Sequence, residues 1–236
     1  MKKWILRYIQ SKKRMPATMT HSQKITDDTL IDIALQGGGA HGAFTWGVLD
    51  RLLEEQKLQI DGISGTSAGA MNAVVLADGY IKDGAQGARN SLELFWKSVS
   101  NAARFSLLQR SPLDMLLGQW SLDHSPFFIT MDVMSRLFSP YDIDPFGVNP
   151  LHNILEELID FTRLSQSSIK LFVTATNVST GKGRVFRNNE ITPEVLLASA
   201  CLPTIFKAVE IDGEHYWDGG YSGNPTITPL VRECKS

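Results

Sequence analysis

The 236-residue chain is poor in cysteine: Cys201 and Cys234 are the only two, too few for a disulfide framework, and this usage points to a reducing, cytoplasmic setting. Neither charge sign is in surplus, and a net charge of -2 excludes the basic face expected of a general nucleic-acid binder. No run of about 18 apolar residues occurs, so no transmembrane helix is expected. No secretory signal is expected either. Lys2 and Lys3 precede Trp4-Ile5-Leu6, but Arg7 breaks an apolar run that would need roughly 7–15 residues. Acidic residues are missing from Met1 to Lys24, while Lys2, Lys3, Arg7, Lys12, Lys13, Arg14 and Lys24 are all basic. Residues 1–28 therefore read as a solvated tail, or as a short basic helix laying Trp4, Ile5, Tyr8 and Ile9 on an anionic bilayer. Repeats and low-complexity tracts are absent. What remains, with 43% hydrophobic and 20% charged residues, is enough for one sizeable core over 29–236.

Within that stretch, Ile31–Leu35 reads as a strand, a glycine loop follows, and Phe44, Val48, Leu49, Leu52 and Leu53 recur at helical spacing. Leu58–Ile63 predicts a second strand, then a Gly/Ser turn, then a buried helix from Ala70 to Ala77. Strand, loop, helix, strand, loop, helix is the pattern of a mainly parallel sheet in a three-layer α/β/α sandwich. Ser91–Val99 reads as helix. The proline-rich stretch 105–150 reads as short helices and loops, a cap over a pocket. Leu151–Leu164 predicts one amphipathic helix. Ile169–Thr176 and Arg184–Arg187 read as strands joined by a hairpin turn. Thr192-Pro193-Glu194 starts a helix running to about Ala200. A final hairpin spans Lys207–Trp217 and ends at Asp218-Gly219-Gly220.

Two glycine patterns carry chemistry. Gly65-x-Ser67-x-Gly69 lies between a strand and a helix, the setting of a nucleophile elbow, where a strained turn exposes a serine oxygen. Chance alone would give roughly 0.1 such matches in a chain of this length. The Ala68 N–H opens the helix and is placed to stabilise an oxyanion. Gly37-Gly38-Gly39-x-x-Gly42 is rarer, at about 0.005 chance matches. It reads either as a dinucleotide fingerprint, with Asp61 as the ribose-binding acid, or as a backbone oxyanion hole. Loops after neighbouring parallel strands open at one edge of a sheet, so the adjacent elbow favours the oxyanion hole.

A nucleophilic serine needs a base. Of His21, His41, His124, His152 and His215, none is obviously placed, although His215 or His152 would serve a histidine-dependent esterase. Asp218, at the end of an apolar strand and before two glycines, can be partly removed from water, and desolvation raises a carboxylate's proton affinity. On spacing alone, an ordinary surface Asp-Gly turn is an equal reading.

The glycine loop Gly37–Gly42, the elbow Gly65–Gly69 and the Asp218-Gly219-Gly220 turn together resemble the three signatures of patatin-like phospholipases, in that family's order. The stretch Ala198-Ser199-Ala200-Cys201-Leu202-Pro203 resembles its bacterial branch. The resemblance implies a Ser67–Asp218 dyad without histidine, cleaving ester bonds of lipids or phospholipids. It further implies an oxyanion hole from the Gly37–Gly39 loop and Ala68, and neither metal nor cofactor. Gly219-Gly220 stands where many relatives have Gly-Ala. The chain also ends at Ser236, where relatives continue through further strands and helices, so a shortened sheet is expected. A non-catalytic lipid- or nucleotide-binding relative is the other reading. Leu107, Leu108, Met115, Leu116, Trp120, Phe127 and Phe128 are candidates for an acyl channel or a lid that meets lipid.

Overall fold

The computed structural model describes residues 29–103 and 150–236. The basic tail, residues 105–149 of the cap expected over 105–150 and the seven candidate channel residues just named lie outside the described residues. Among those described, no helix is long and apolar enough to cross a membrane.

Among the described residues, the centre is a six-stranded sheet with helices on both sides. Strands β1 (Thr29–Leu35), β2 (Leu58–Gly65) and β3 (Lys170–Asn177) are parallel to one another. Strands β4 (Gly183–Arg187), β5 (Val209–Ile211) and β6 (Glu214–Asp218) are antiparallel hairpin arms built out from β3. Helix α1 (Gly42–Leu52) links β1 to β2, and α2 (Ala68–Ala103) follows β2. The expected break between two helical runs falls at Asp83–Gly84, where Gly84 takes φ 51°. The run Ala70–Ala77 is buried, as its small apolar residues require. On β2, Gly62 and Ser64 face away from Ile63 by strand alternation, and that side is covered by α6 (Thr228–Glu233).

The helix expected over Leu151–Leu164 is two helices, α3 (Pro150–Leu158) and α4 (Phe161–Leu164). Asp160 breaks it. Its backbone is extended, and its carboxylate caps α4 by accepting the Arg163 N–H at 3.1 Å. A short acid that bonds its own downstream amide competes with helix continuation. The break also lets Arg163 reach back to Asp78, 1% exposed in α2, at 2.6 Å, opposite Lys82 on the same carboxylate, also at 2.6 Å. Arg163→Met should therefore destabilise the fold by about 1–3 kcal/mol, since Lys82 still partly neutralises the buried acid. Urea unfolding measures this, and an unchanged midpoint would mean that the pair contributes nothing.

The topology does one thing that positions the site. β2 and β4 both pair with Phe172 and Val173 of β3, so they flank it on opposite sides. β4 and β6 both pair with Ala175 and Thr176, so they too are on opposite sides. β2 and β6 must then share one side of β3. They run toward each other there, because β2 is parallel to β3 and β6 antiparallel. β2 ends opposite Val173 and β6 ends opposite Ala175, leaving Thr174 at the gap. The loops carrying Ser67 and Asp218 therefore leave two strand ends that meet head-on.

Candidate active site

Ser67 sits just past the end of β2 with φ 53°, one of two non-glycine residues with positive φ among those described. An L-residue is held there only if its surroundings over-determine the turn. Several contacts do so. The Thr66 N–H donates to Leu35 O, the Gly69 N–H to Thr66 O, and the Met71 N–H to Ser67 O. Thr66 Oγ1 donates to Gly223 O at 2.9 Å and Ser64 Oγ to Thr226 O at 2.5 Å, tying the strand side of the turn to the loop after β6. Gly69 lies so close to the end of β1 that a Cβ there would be 2.7 Å from Gln36 O and nearer still to Leu35 O.

Asp218 ends β6 and is buried at 7% exposure. Its carboxylate accepts the Gly220 N–H at 2.7 Å, and Ser67 lines the same cavity. Burial pushes its pKa above the ordinary aspartate value, while the Gly220 N–H and the neighbouring Ser67 hydroxyl pull the other way and do not cancel the rise. Its backbone is fixed from both ends: the N–H donates to Cys201 O at 2.8 Å, and the C=O accepts Thr176 Oγ1 at 2.9 Å. The next residue has to be glycine, because a Cβ on Gly219 would lie 2.7 Å from the Thr174 carbonyl carbon and closer to its oxygen.

The glycine loop meets this pair from β1. Gly37 packs against Ser67, and its N–H donates to Asn224 Oδ1 at 2.6 Å. That amide is engaged, which leaves Gly38 and Gly39 as the loop's candidate donors beside Ala68, first residue of α2. Gly42 packs on Ala68 and Trp96, and its carbonyl accepts from Asn72, a fully buried side chain that in turn accepts Trp96 Nε1–H at 2.8 Å.

The described histidines are occupied elsewhere. His41 Nδ1 donates to Gly38 O within its own loop, His152 lies between Glu156 and Glu194, and His215 is exposed in β6. None of them lines the cavity at Ser67. Asp61, the acid of the dinucleotide reading, sits inside β2 paired with Lys170 at 3.0 Å and does not line it either. Asp32, Asp61 and Cys234 are the one group of possible metal ligands among the described residues. They are remote from this cavity's lining and already engaged by Lys170, by the Lys235 N–H and by Ser236.

That cavity, of about 1210 Å³, is polar at one end, where Gly37, Gly38, Gly39, Ser67, Ala68, Asp218 and Asn224 line it. Its remaining wall is apolar: Trp46 from α1, Met71, Phe95, Trp96 and Val99 from α2, Leu151 from α3, and Leu202 and Phe206 after α5 (Pro193–Ser199). Leu202, Ile205, Phe206 and, on α1, Phe44 and Val48 are large apolar side chains left exposed. The sequence pattern placed none of these at a pocket. Asn224 and Ser199 also went unassigned, because their contacts with the site span 187 and 132 residues of chain.

A family model described as patatin-like phospholipase matches residues 33–231. Uncharacterized protein R571 of Acanthamoeba polyphaga mimivirus is 25% identical over 215 residues, covering 87% of this chain and 63% of that protein. The crystal structure of VipD from Legionella pneumophila aligns with 80% of this chain and 45% of its own, at 18% identity and a TM-score of 0.43. The chain thus spans less than two thirds of either protein.

Proposed function

The chain belongs to the patatin-like phospholipase family, and from that premise we propose that it is a serine lipid acyl hydrolase, with Ser67 as nucleophile and Asp218 as base. The observation that carries the reading is that Ser67, held in a positive-φ turn, and the buried Asp218, whose pKa burial raises, line the same cavity. An aspartate in water is too weak a base for this role. One shifted upward by burial takes a proton more readily.

In the proposed reaction, Ser67 Oγ attacks the acyl carbonyl while its proton passes to Asp218. The Gly38, Gly39 and Ala68 amides stabilise the oxyanion, an effect worth ~3 kcal/mol per donor in comparable sites. Collapse of the intermediate breaks the ester bond, and Asp218 returns the proton to the departing alcohol. Water, deprotonated by the same carboxylate, then releases the acid from the acyl-enzyme. The apolar wall suits an acyl chain. The exposed Phe44, Val48, Leu202, Ile205 and Phe206 are where the chain would meet a lipid surface.

Labelling with a fluorophosphonate probe tests this reading. Parent protein and His215→Ala should label equally, whereas Ser67→Ala should not label at all and Asp218→Asn only very slowly. Undiminished labelling of Ser67→Ala would overturn the proposal. Since only the ionised base accepts the proton, kcat/KM for a nitrophenyl ester should rise with pH on its acid side. The midpoint should lie above the ~3.9 of a free aspartate, and one at or below that value would contradict the role of burial.

A further inference from the structure

The head-on meeting of β2 and β6 leaves two backbone groups without sheet partners. β3 continues past the gap, and the Thr174 carbonyl points into it, since it crowds Gly219 just past the end of β6. The Ser67 N–H, in the positive-φ turn, falls outside both the β2 ladder and the α2 helix. One side chain serves both. Ser199 Oγ, fully buried at the last residue of α5, accepts the Ser67 N–H at 2.9 Å and donates to Thr174 O at 2.7 Å.

We propose that Ser199 is a positioning residue that holds the backbone of the nucleophile, its hydroxyl bridging the gap between the two strand ends. This rests on the reading of Ser67 as nucleophile. The requirement is specific: the bridging atom must accept and donate at once, which a hydroxyl does and a methyl group does not. Two residues on, Cys201 O accepts the Asp218 N–H. The end of α5 therefore grips both members of the dyad, one by a side chain and one by the backbone, and fixes their separation. Removing the Ser199 hydroxyl leaves the half-buried Ser67 N–H and the buried Thr174 C=O unpaired and frees Ser67 to relax from φ 53°. The Ser67 N–H is also spoken for, so the oxyanion donors have to come from the glycine loop and Ala68.

Ser199→Ala is the test, read in two ways. First, kcat per fluorophosphonate-titrated site should fall about 10–100-fold with KM little changed, as expected when a nucleophile is displaced by a fraction of an ångström. Ser199→Thr, which keeps the hydroxyl, should recover part of that loss. Second, hydrogen exchange at the Ser67 amide should speed up at least about tenfold, while the core amides of α2 keep their protection. A purely structural residue would lower the melting temperature and the titratable fraction without touching kcat per site. Parental kcat per site in Ser199→Ala, or unchanged Ser67 exchange, would overturn the proposal. If the probe labels the parent at a residue other than Ser67, the dyad reading fails. The hold of Ser199 on Ser67 is then decided by amide exchange alone.

Discussion

Ser67→Ala and Asp218→Asn are each expected to lower kcat/KM for an ester substrate by on the order of 10⁴- to 10⁶-fold, and the double variant by no more than the worse of the two. The reason is that the pair acts as a unit. Without the hydroxyl the base has no proton to accept. Without the carboxylate the hydroxyl stays protonated, because an asparagine in the same place accepts a hydrogen bond but not a proton. What survives would be the contribution of the amides and of binding. Additive losses would argue that Asp218 acts apart from Ser67. Parental activity in Asp218→Asn would assign the base to some other group.

The same substitution has a stability signature of opposite sign. Asp218 has a folded pKa above its unfolded value. Its stabilising contribution is therefore present in full below the unfolded pKa and is lost as pH rises through the folded one. At neutral pH the buried carboxylate is a net cost, which Asn does not carry. Asp218→Asn should melt at or above the parent's temperature at neutral pH, and the advantage should shrink as pH falls through the raised value toward ~3.9. Thermal melts across that window provide the check. A variant inactive because it is unfolded would show the reverse.

Gly69→Ala is the second large effect expected, this time on the fold. The added methyl would press on the carbonyls of Leu35 and Gln36, which are backbone at the end of β1 and cannot swing aside as a flexible side chain could. Overpacking against backbone at the junction of β1, the elbow and α2 should cost roughly 3 kcal/mol or more, and activity should fall with it. Gly47→Ala is the control. Gly47 lies inside α1 with open space where a Cβ would go, so alanine there should stabilise by about 0.5–1 kcal/mol through helix propensity. Chemical denaturation of the two variants side by side measures both. If Gly69→Ala cost no more than Gly47→Ala, the close approach of α2 to β1 would be wrong.

Much of this was legible in the chain because it is local. Alternation in Ile31–Leu35, the glycines of the two loops, the helix-start chemistry of Thr192-Pro193 and the final hairpin each fix a few neighbouring residues, and those elements are present. Where local signals compete, one of them is overridden. The apolar spacing over Leu151–Leu164 spoke for one helix, and the capping chemistry of Asp160 broke it in two.

By itself, then, the sequence carried the resemblance to the family in its three signatures, and it determined the α/β layering and the candidacy of Ser67, because turn geometry and hydrophobic period act over a few residues. On spacing alone it left Asp218 even with a surface turn, and the resemblance gave that residue its expected role. In the fold β2 and β6 share one side of β3 and end facing each other, which brings the loops of Ser67 and Asp218 to one cavity. Ser199, Asn224 and the apolar wall of α1 and α2 entered only with the tertiary structure. Hydrogen bonds and burial between segments more than a hundred residues apart are set by how the sheet closes, and no local pattern encodes them.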